Sequence, residues 1–169
     1  MLEFKTVATP EAAGLDVRMG LLNRPKTLPA TYFYDDQGSQ LFEQICDLPE
    51  YYPTRTEAAI LASLAPSLPS LTGADTLIEL GSGSSTKTRL LLDTYTKAGP
   101  THYVPIDVSR GILQHSAQAL LTAYTNLRVT GLVGDYTAAL QHLPPAQRRL
   151  VLFLGSTLGN LDAAECIRF

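Results

Sequence analysis

Between residues 75 and 155 the chain alternates short apolar runs with stretches in which apolar residues recur every three or four positions. The runs at 76–80, 103–106, 127–133 and 151–154 show little polar alternation, which is the pattern of strands covered on both faces. Between them, residues 86–97 with Leu90, Leu91 and Leu92, residues 109–124, and a short stretch around 138–140 predict helices. Gly99-Pro100 stops the first of these. Strand–helix repetition of this kind predicts an α/β fold, a doubly wound and mainly parallel sheet of four strands.

Upstream the texture differs. Residues 1–30 are mixed, with prolines at 10, 25 and 29, and predict an extended arm around one short helix. Ser39 is placed to cap a helix carrying Leu41, Phe42 and Ile45 that ends before Pro49. Tyr51-Tyr52-Pro53 reads as a rigid aromatic turn, because proline fixes its own φ and biases the residue before it to extended geometry. Thr54-Arg-Thr-Glu57 reads as a capping box opening a helix through Ala58, Ile60, Leu61 and Leu64, closed by Pro66 and Pro69. The expected division is a helical N-terminal arm over 1–70 and a sheet domain over 71–169. A further helix starts near Asp162 and the sequence ends at Phe169. The sheet is therefore expected to be incomplete at its C-terminal side, with an uncovered edge open to self-association.

Composition narrows the function classes. In 169 residues, 45% are hydrophobic and 17% charged, with 13 basic and 16 acidic side chains and a net charge of −3. No basic stripe is present, so nucleic acid is not the expected partner. No apolar run is long enough to span a bilayer, and the start, Met1-Leu-Glu-Phe-Lys-Thr, lacks the pattern of a secretory signal. Cys46 and Cys166 lie far apart and outside any C-x-x-C spacing, as in a protein with reduced thiols. A cytoplasmic enzyme or binding domain with a small-molecule ligand is expected.

The chemistry is concentrated at strand ends. The loop Glu79-Leu-Gly81-Ser82-Gly83-Ser84-Ser85-Thr86-Lys87-Thr88 joins the first predicted strand to its helix. Its glycines permit a tight turn and a close ligand approach, and the helix beyond offers free N–H groups. A P-loop fails because Thr86 replaces its second glycine, and the dinucleotide fingerprint fails at the same position. An acid at the end of the next strand, Asp107, can accept both hydrogen bonds of a ribose diol. The third strand also ends in an acid, Asp135, beside Tyr136, where a carboxylate and a ring can hold an adenine. Strand-end acids also serve as helix caps, so each has a structural alternative. Together they predict an adenosine ligand. Across the switch point, Gly155-Ser-Thr-Leu-Gly-Asn160 offers a neutral donor and acceptor for a carboxylate or amide. His102, His115 and His142 stand in unrelated contexts; neither a Ser/His/Asp triad nor a spaced metal-ligand set is expected.

Leu28-Pro29-Ala-Thr-Tyr-Phe33-Tyr34-Asp35-Asp36-Gln-Gly38-Ser39-Gln-Leu-Phe42 and Leu48-Pro-Glu-Tyr51-Tyr52-Pro-Thr-Arg55-Thr-Glu57 resemble the histidine-specific S-adenosylmethionine methyltransferase family. So do Glu79-Leu-Gly-Ser-Gly83, Lys87-Thr-Arg89 and Phe153-Leu-Gly-Ser-Thr157-Leu-Gly-Asn160. That family includes enzymes of ergothioneine biosynthesis. The resemblance implies a Rossmann-like methyltransferase sheet, S-adenosylmethionine as co-substrate, and methylation of the α-amino group of histidine. Gly81, Ser82, Gly83, Lys87, Asp107, Asp135 and Tyr136 fall at cofactor positions; Tyr51 and Asn160 fall at amino-acid substrate positions, and Tyr34 at the boundary between the two. It further implies a C-terminal region that completes the sheet and binds the imidazole, which these residues do not include. Two alternatives remain at this point: another amino acid as methyl acceptor, such as a tryptophan derivative, and a catalytically silent S-adenosylmethionine-binding module.

Overall fold

Five strands pair side by side in parallel: β1 (Leu2–Thr6), β2 (Thr76–Leu80), β3 (Thr101–Asp107), β4 (Leu127–Val133) and β5 (Arg149–Leu152), in the order β1-β4-β3-β2-β5. This computed structural model describes residues 1–7 and 14–169. The helices are α1 (Leu15–Leu22), α2 (Asp36–Cys46), α3 (Tyr52–Leu64), α4 (Leu68–Thr72), α5 (Arg89–Ala98), α6 (Arg110–Ala123), α7 (Tyr136–Ala139) and α8 (Ala163–Arg168). Short 3-10 turns form at Ala30–Phe33, Leu140–His142 and Thr157–Asn160.

The unbroken apolar strands are buried as their pattern implies. Alternate residues feed two cores. Leu77 and Tyr103 pack with Leu91, Leu92, Leu120 and Leu61 beneath α3, α5 and α6. Ile78, Val104, Ile106 and Leu132 face the opposite side, with Ala139 and Val7. That second face has the smaller cover, and Val151 on β5 is half exposed there.

Register decides where the loops emerge. Leu80 pairs with Ile106, Ile106 with Leu132, and Asp107 with Val133. The segments that follow β2, β3 and β4 therefore leave the sheet at one level, at the carboxyl ends.

Four local expectations change. The sheet has five strands rather than four, because Leu2–Thr6 leaves the N-terminal arm and pairs with β4. β1 thus precedes helices α1 to α4 in the chain yet belongs to the sheet that follows them. The cap of α2 is Asp35, whose carboxylate accepts from the Gly38 N–H at 2.7 Å; Ser39 is buried inside the helix. The predicted Thr54–Glu57 capping box does not form. Helix α3 already opens at Tyr52 with Pro53 in its first turn, where a missing N–H costs nothing. Pro69 likewise opens α4 rather than ending a helix.

Candidate functional site

The loop after β2 is built by glycine geometry and held by a carboxylate. Gly81 and Gly83 have φ of 69° and 48°, left-handed values that a side chain strains to adopt. The N–H groups of Gly81 and Ser82 both donate to the Ile106 carbonyl, at 2.9 and 3.1 Å. Gly83 N–H donates to Asp107 Oδ2 at 2.8 Å, and Ser109 N–H to Asp107 Oδ1 at 2.9 Å. Asp107 thus links the ends of β2 and β3 while only 9% exposed. Burial pushes its carboxyl above the usual range, against the opposing pull of those N–H groups. The Val108 N–H adds a weaker pull on the same group; with about four acceptor sites on a carboxylate, these three donors leave it room for a further one.

Beneath the loop lies a second acid. Glu79, 3% exposed, accepts at Oε2 from Thr88 Oγ1 at 2.6 Å and from the Tyr103 hydroxyl. Ser85 Oγ lies 2.9 Å from the same hydroxyl. Burial pushes the Glu79 carboxyl up to about 7, with the Thr88 and Tyr103 hydrogen bonds opposing; burial and the Glu79 carboxylate raise Tyr103. Above this network, the buried Ser82 Oγ has no hydrogen-bond partner among the described residues. An unsatisfied buried hydroxyl is costly and uncommon, and at a binding loop it is a group a ligand can satisfy.

The helical arm closes onto the same end of the sheet through three carboxylates. Asp36 at the start of α2 accepts from Ser109 Oγ, and α2 sits so near α6 that a Cβ on Gly111 would lie 2.7 Å from Asp36 Oδ2. Glu43 accepts from Ser84 Oγ at 2.9 Å. Glu57 on α3 pairs with Lys87 and accepts from the Gly155 N–H at 2.9 and 3.1 Å.

Two aromatic sets flank these contacts. Phe42 meets Tyr34 and Tyr51 edge-on, each at a ring separation of 5.9 Å. Arg55 donates to the carbonyls of Leu48 and Pro49 and so fixes the turn that presents Tyr51. On the other side, Tyr136 packs edge-on against Phe153 at 5.5 Å and Phe169 at 5.4 Å. Asp135 accepts from the Ala138 N–H at 3.0 Å, so it caps α7 as its alternative reading allowed.

The model of the family described as histidine-specific, S-adenosylmethionine-dependent methyltransferase matches residues 13–169. The chain belongs to this family. It is 48% identical over 160 residues to the histidine N-alpha-methyltransferase of Mycolicibacterium smegmatis, covering 94% of this chain and 50% of that protein. The protein of the same description from Mycobacterium tuberculosis is 48% identical over 155 residues, 91% of this chain and 48% of its own. Ergothioneine biosynthesis protein 1 of Schizosaccharomyces pombe is 37% identical over 159 residues, covering 84% of this chain and 20% of that one. The chain spans about half the length of the two histidine methyltransferases that it matches.

Within this family frame, the predicted residues fall into connected groups. Gly81, Ser82 and Gly83 share one loop that Asp107 holds from the end of β3, and Asp135 and Tyr136 begin one helix. Tyr34 and Tyr51 are joined through Phe42, while Lys87 is tied to Gly155. Asn160 is exposed at the end of its 3-10 turn; no described contact links it to either tyrosine. Glu57, Glu43 and Phe42 were missed as site residues. Phe42 and Glu57 end the two family-like motifs, but the polar partners of Glu43 and Glu57 lie 41, 30 and 98 residues away, beyond any local spacing.

Proposed function

We propose that the chain carries the S-adenosylmethionine site and part of the acceptor site of an N-methyltransferase acting on the α-amino group of L-histidine. What carries this reading is the loop at Gly81-Ser82-Gly83, with its unpartnered buried Ser82 hydroxyl, in a chain 48% identical to histidine N-alpha-methyltransferases. A 4-dimethylallyltryptophan N-methyltransferase of Arthroderma benhamiae is also similar, but at 28% identity; histidine is the better supported acceptor.

The residues present fit the ligand. Asp107 keeps acceptor capacity for a ribose hydroxyl beside its backbone N–H partners, Ser82 Oγ needs a partner, and Lys87 supplies a cation for the amino-acid carboxylate. Tyr136 and Phe153 offer ring faces to the base beside Asp135. When bound, S-adenosylmethionine supplies an electrophilic methyl on a cationic sulfur. The chain's own residues have then only to hold a neutral amine in line with that methyl, a positioning contribution that reaches about 7–11 kcal/mol at good alignment. Tyr34 and Tyr51, locked edge-on through Phe42, present aromatic faces that tolerate the developing ammonium and hydroxyls that orient the amine. Asn160 holds the amino acid's carboxylate. Excluding water beneath the arm favours the uncharged amine, since burial disfavours ammonium.

Helices α2 and α3 accordingly serve as the acceptor-side cover of a cofactor-binding sheet. No helix of the described residues is long and apolar enough to cross a membrane, consistent with a cytoplasmic location, and the half-exposed β5 edge is open to self-association. Incubating the chain with S-adenosylmethionine and a panel of amino acids, then searching by mass for products gaining one methylene, tests the reading. Methylated histidine is expected. Methylation of a different amino acid refutes the acceptor assignment, and binding without any turnover identifies a silent module.

A further inference from the structure

Glu57 lies at a junction of α3, the end of the glycine loop before α5 and the segment after β5. Its carboxylate receives the Lys87 ammonium and the Gly155 N–H together. Both charged side chains are largely sheltered, at 21% and 27% exposure. Gly155 and Ser156 both take left-handed φ, 74° and 59°, so the chain turns sharply where Glu57 grips it. A Cβ on Gly155 would lie 3.4 Å from the Lys87 nitrogen; that ammonium is packed between the Glu57 carboxylate and the turned backbone.

We propose that Glu57 is a positioning residue that sets where the Lys87 ammonium stands to receive the carboxylate of an S-adenosyl amino acid. It rests on the assignment of Lys87 to the cofactor site above. An ammonium has three donors. One is taken by Glu57, leaving two for a ligand carboxylate, and the flexible four-carbon stem loses its freedom before the ligand arrives. Preorganising a group in its bound position raises affinity by removing that ordering cost at binding. The same carboxylate holds Gly155, five residues before Asn160, so one group aligns the cofactor's acidic end with the turn that leads to the acceptor residue.

The test separates the amino-acid end of the ligand from its nucleoside end. Calorimetry with S-adenosylhomocysteine and with 5′-methylthioadenosine, which lacks the amino-acid group, is run on the unsubstituted chain, Glu57→Ala, Glu57→Gln and Lys87→Met. Lys87→Met and Glu57→Ala are each expected to weaken S-adenosylhomocysteine by about ten-fold or more and to leave 5′-methylthioadenosine within about two-fold. Glu57→Gln, whose amide oxygen still accepts from both partners, is expected to recover part of the loss. Amide exchange at Gly155 is expected to speed up in Glu57→Ala. Unchanged S-adenosylhomocysteine affinity in Glu57→Ala alongside a loss in Lys87→Met overturns the role of Glu57. So do equal losses for both ligands in Glu57→Ala, which denote a merely structural contact. If Lys87→Met is without effect, or the unsubstituted chain binds neither ligand, the site assignment itself fails and the inference falls with it.

Discussion

The two ends of the parallel sheet carry the same device with opposite consequences. At the amino end, Asp75 accepts from the N–H groups of Gln147 and Arg148 at 3.3 and 3.2 Å, tying the approach to β5 onto the start of β2. At the carboxyl end, Asp107 accepts from Gly83 and Ser109. Burial acts to raise both carboxyls. At Asp75 the hydrogen bonds from Arg148 and Gln147 outweigh it and the net direction is down, whereas at Asp107 burial prevails and the direction is up. The amino end is an anchor in contact with water. The carboxyl end keeps a sheltered acid, another acid beneath it and an unpartnered hydroxyl, which together are a cost to folding that the proposed ligand would repay in part. Polar groups buried without full satisfaction single out the proposed ligand end of this sheet better than acidity alone.

The largest expected effect that sharpens this contrast is at Glu79. Its carboxyl stands at about 7 folded against 4.5 unfolded. Stability is therefore full below pH 4.5 and falls as pH rises toward 7, by roughly 3 kcal/mol. In Glu79→Gln, whose oxygen still accepts from Thr88 and Tyr103, that slope should disappear from denaturant unfolding at pH 5 and pH 8. An unaltered slope would show that Glu79 is not a hidden cost at this end.

Next, Asp107→Ala should weaken S-adenosylmethionine by about 1.5–3 kcal/mol, the worth of a charged hydrogen bond, as read by calorimetry. Unchanged affinity would reduce Asp107 to an anchor like Asp75. Asn160→Ala should lower affinity for histidine by about 1 kcal/mol and leave the cofactor's unchanged; equal losses for both would make Asn160 structural. Smallest of all, Asp75→Asn should cost about 0.5–1.5 kcal/mol of stability without touching ligand affinity. A change in ligand affinity there would break the distinction between the two ends.

Much of the carboxyl end could be read from sequence because its signals are local. Unbroken apolar runs identified β2, β3, β4 and β5, and an acid or glycine directly after each run identified the loops. Ser109 and Asp162 stand where helices α6 and α8 begin. What escaped is non-local. Leu2–Thr6, with Glu3 and Lys5, alternates like a partly wet segment, and only pairing with β4 makes it an edge strand. Glu57 fitted a capping box by spacing, but Pro53 had already started the helix, which freed the carboxylate to reach Lys87. Asp35 preceded the expected cap Ser39 because the bend at Phe33 brings Gly38 tight against its carbonyl; a Cβ on Gly38 would lie 1.9 Å from that oxygen. The aromatic ladder Tyr34–Phe42–Tyr51 spans three segments whose meeting no single period could reveal.

A crystal structure of the chain grown with S-adenosylhomocysteine tests the central claim most directly. The account predicts the nucleoside over the carboxyl ends of β2, β3 and β4, its ribose hydroxyls on Asp107 and Ser82 Oγ within hydrogen-bond reach of the ligand. A ligand bound at the amino end beside Asp75, or one that leaves the Asp107 and Ser82 side chains untouched, would contradict it.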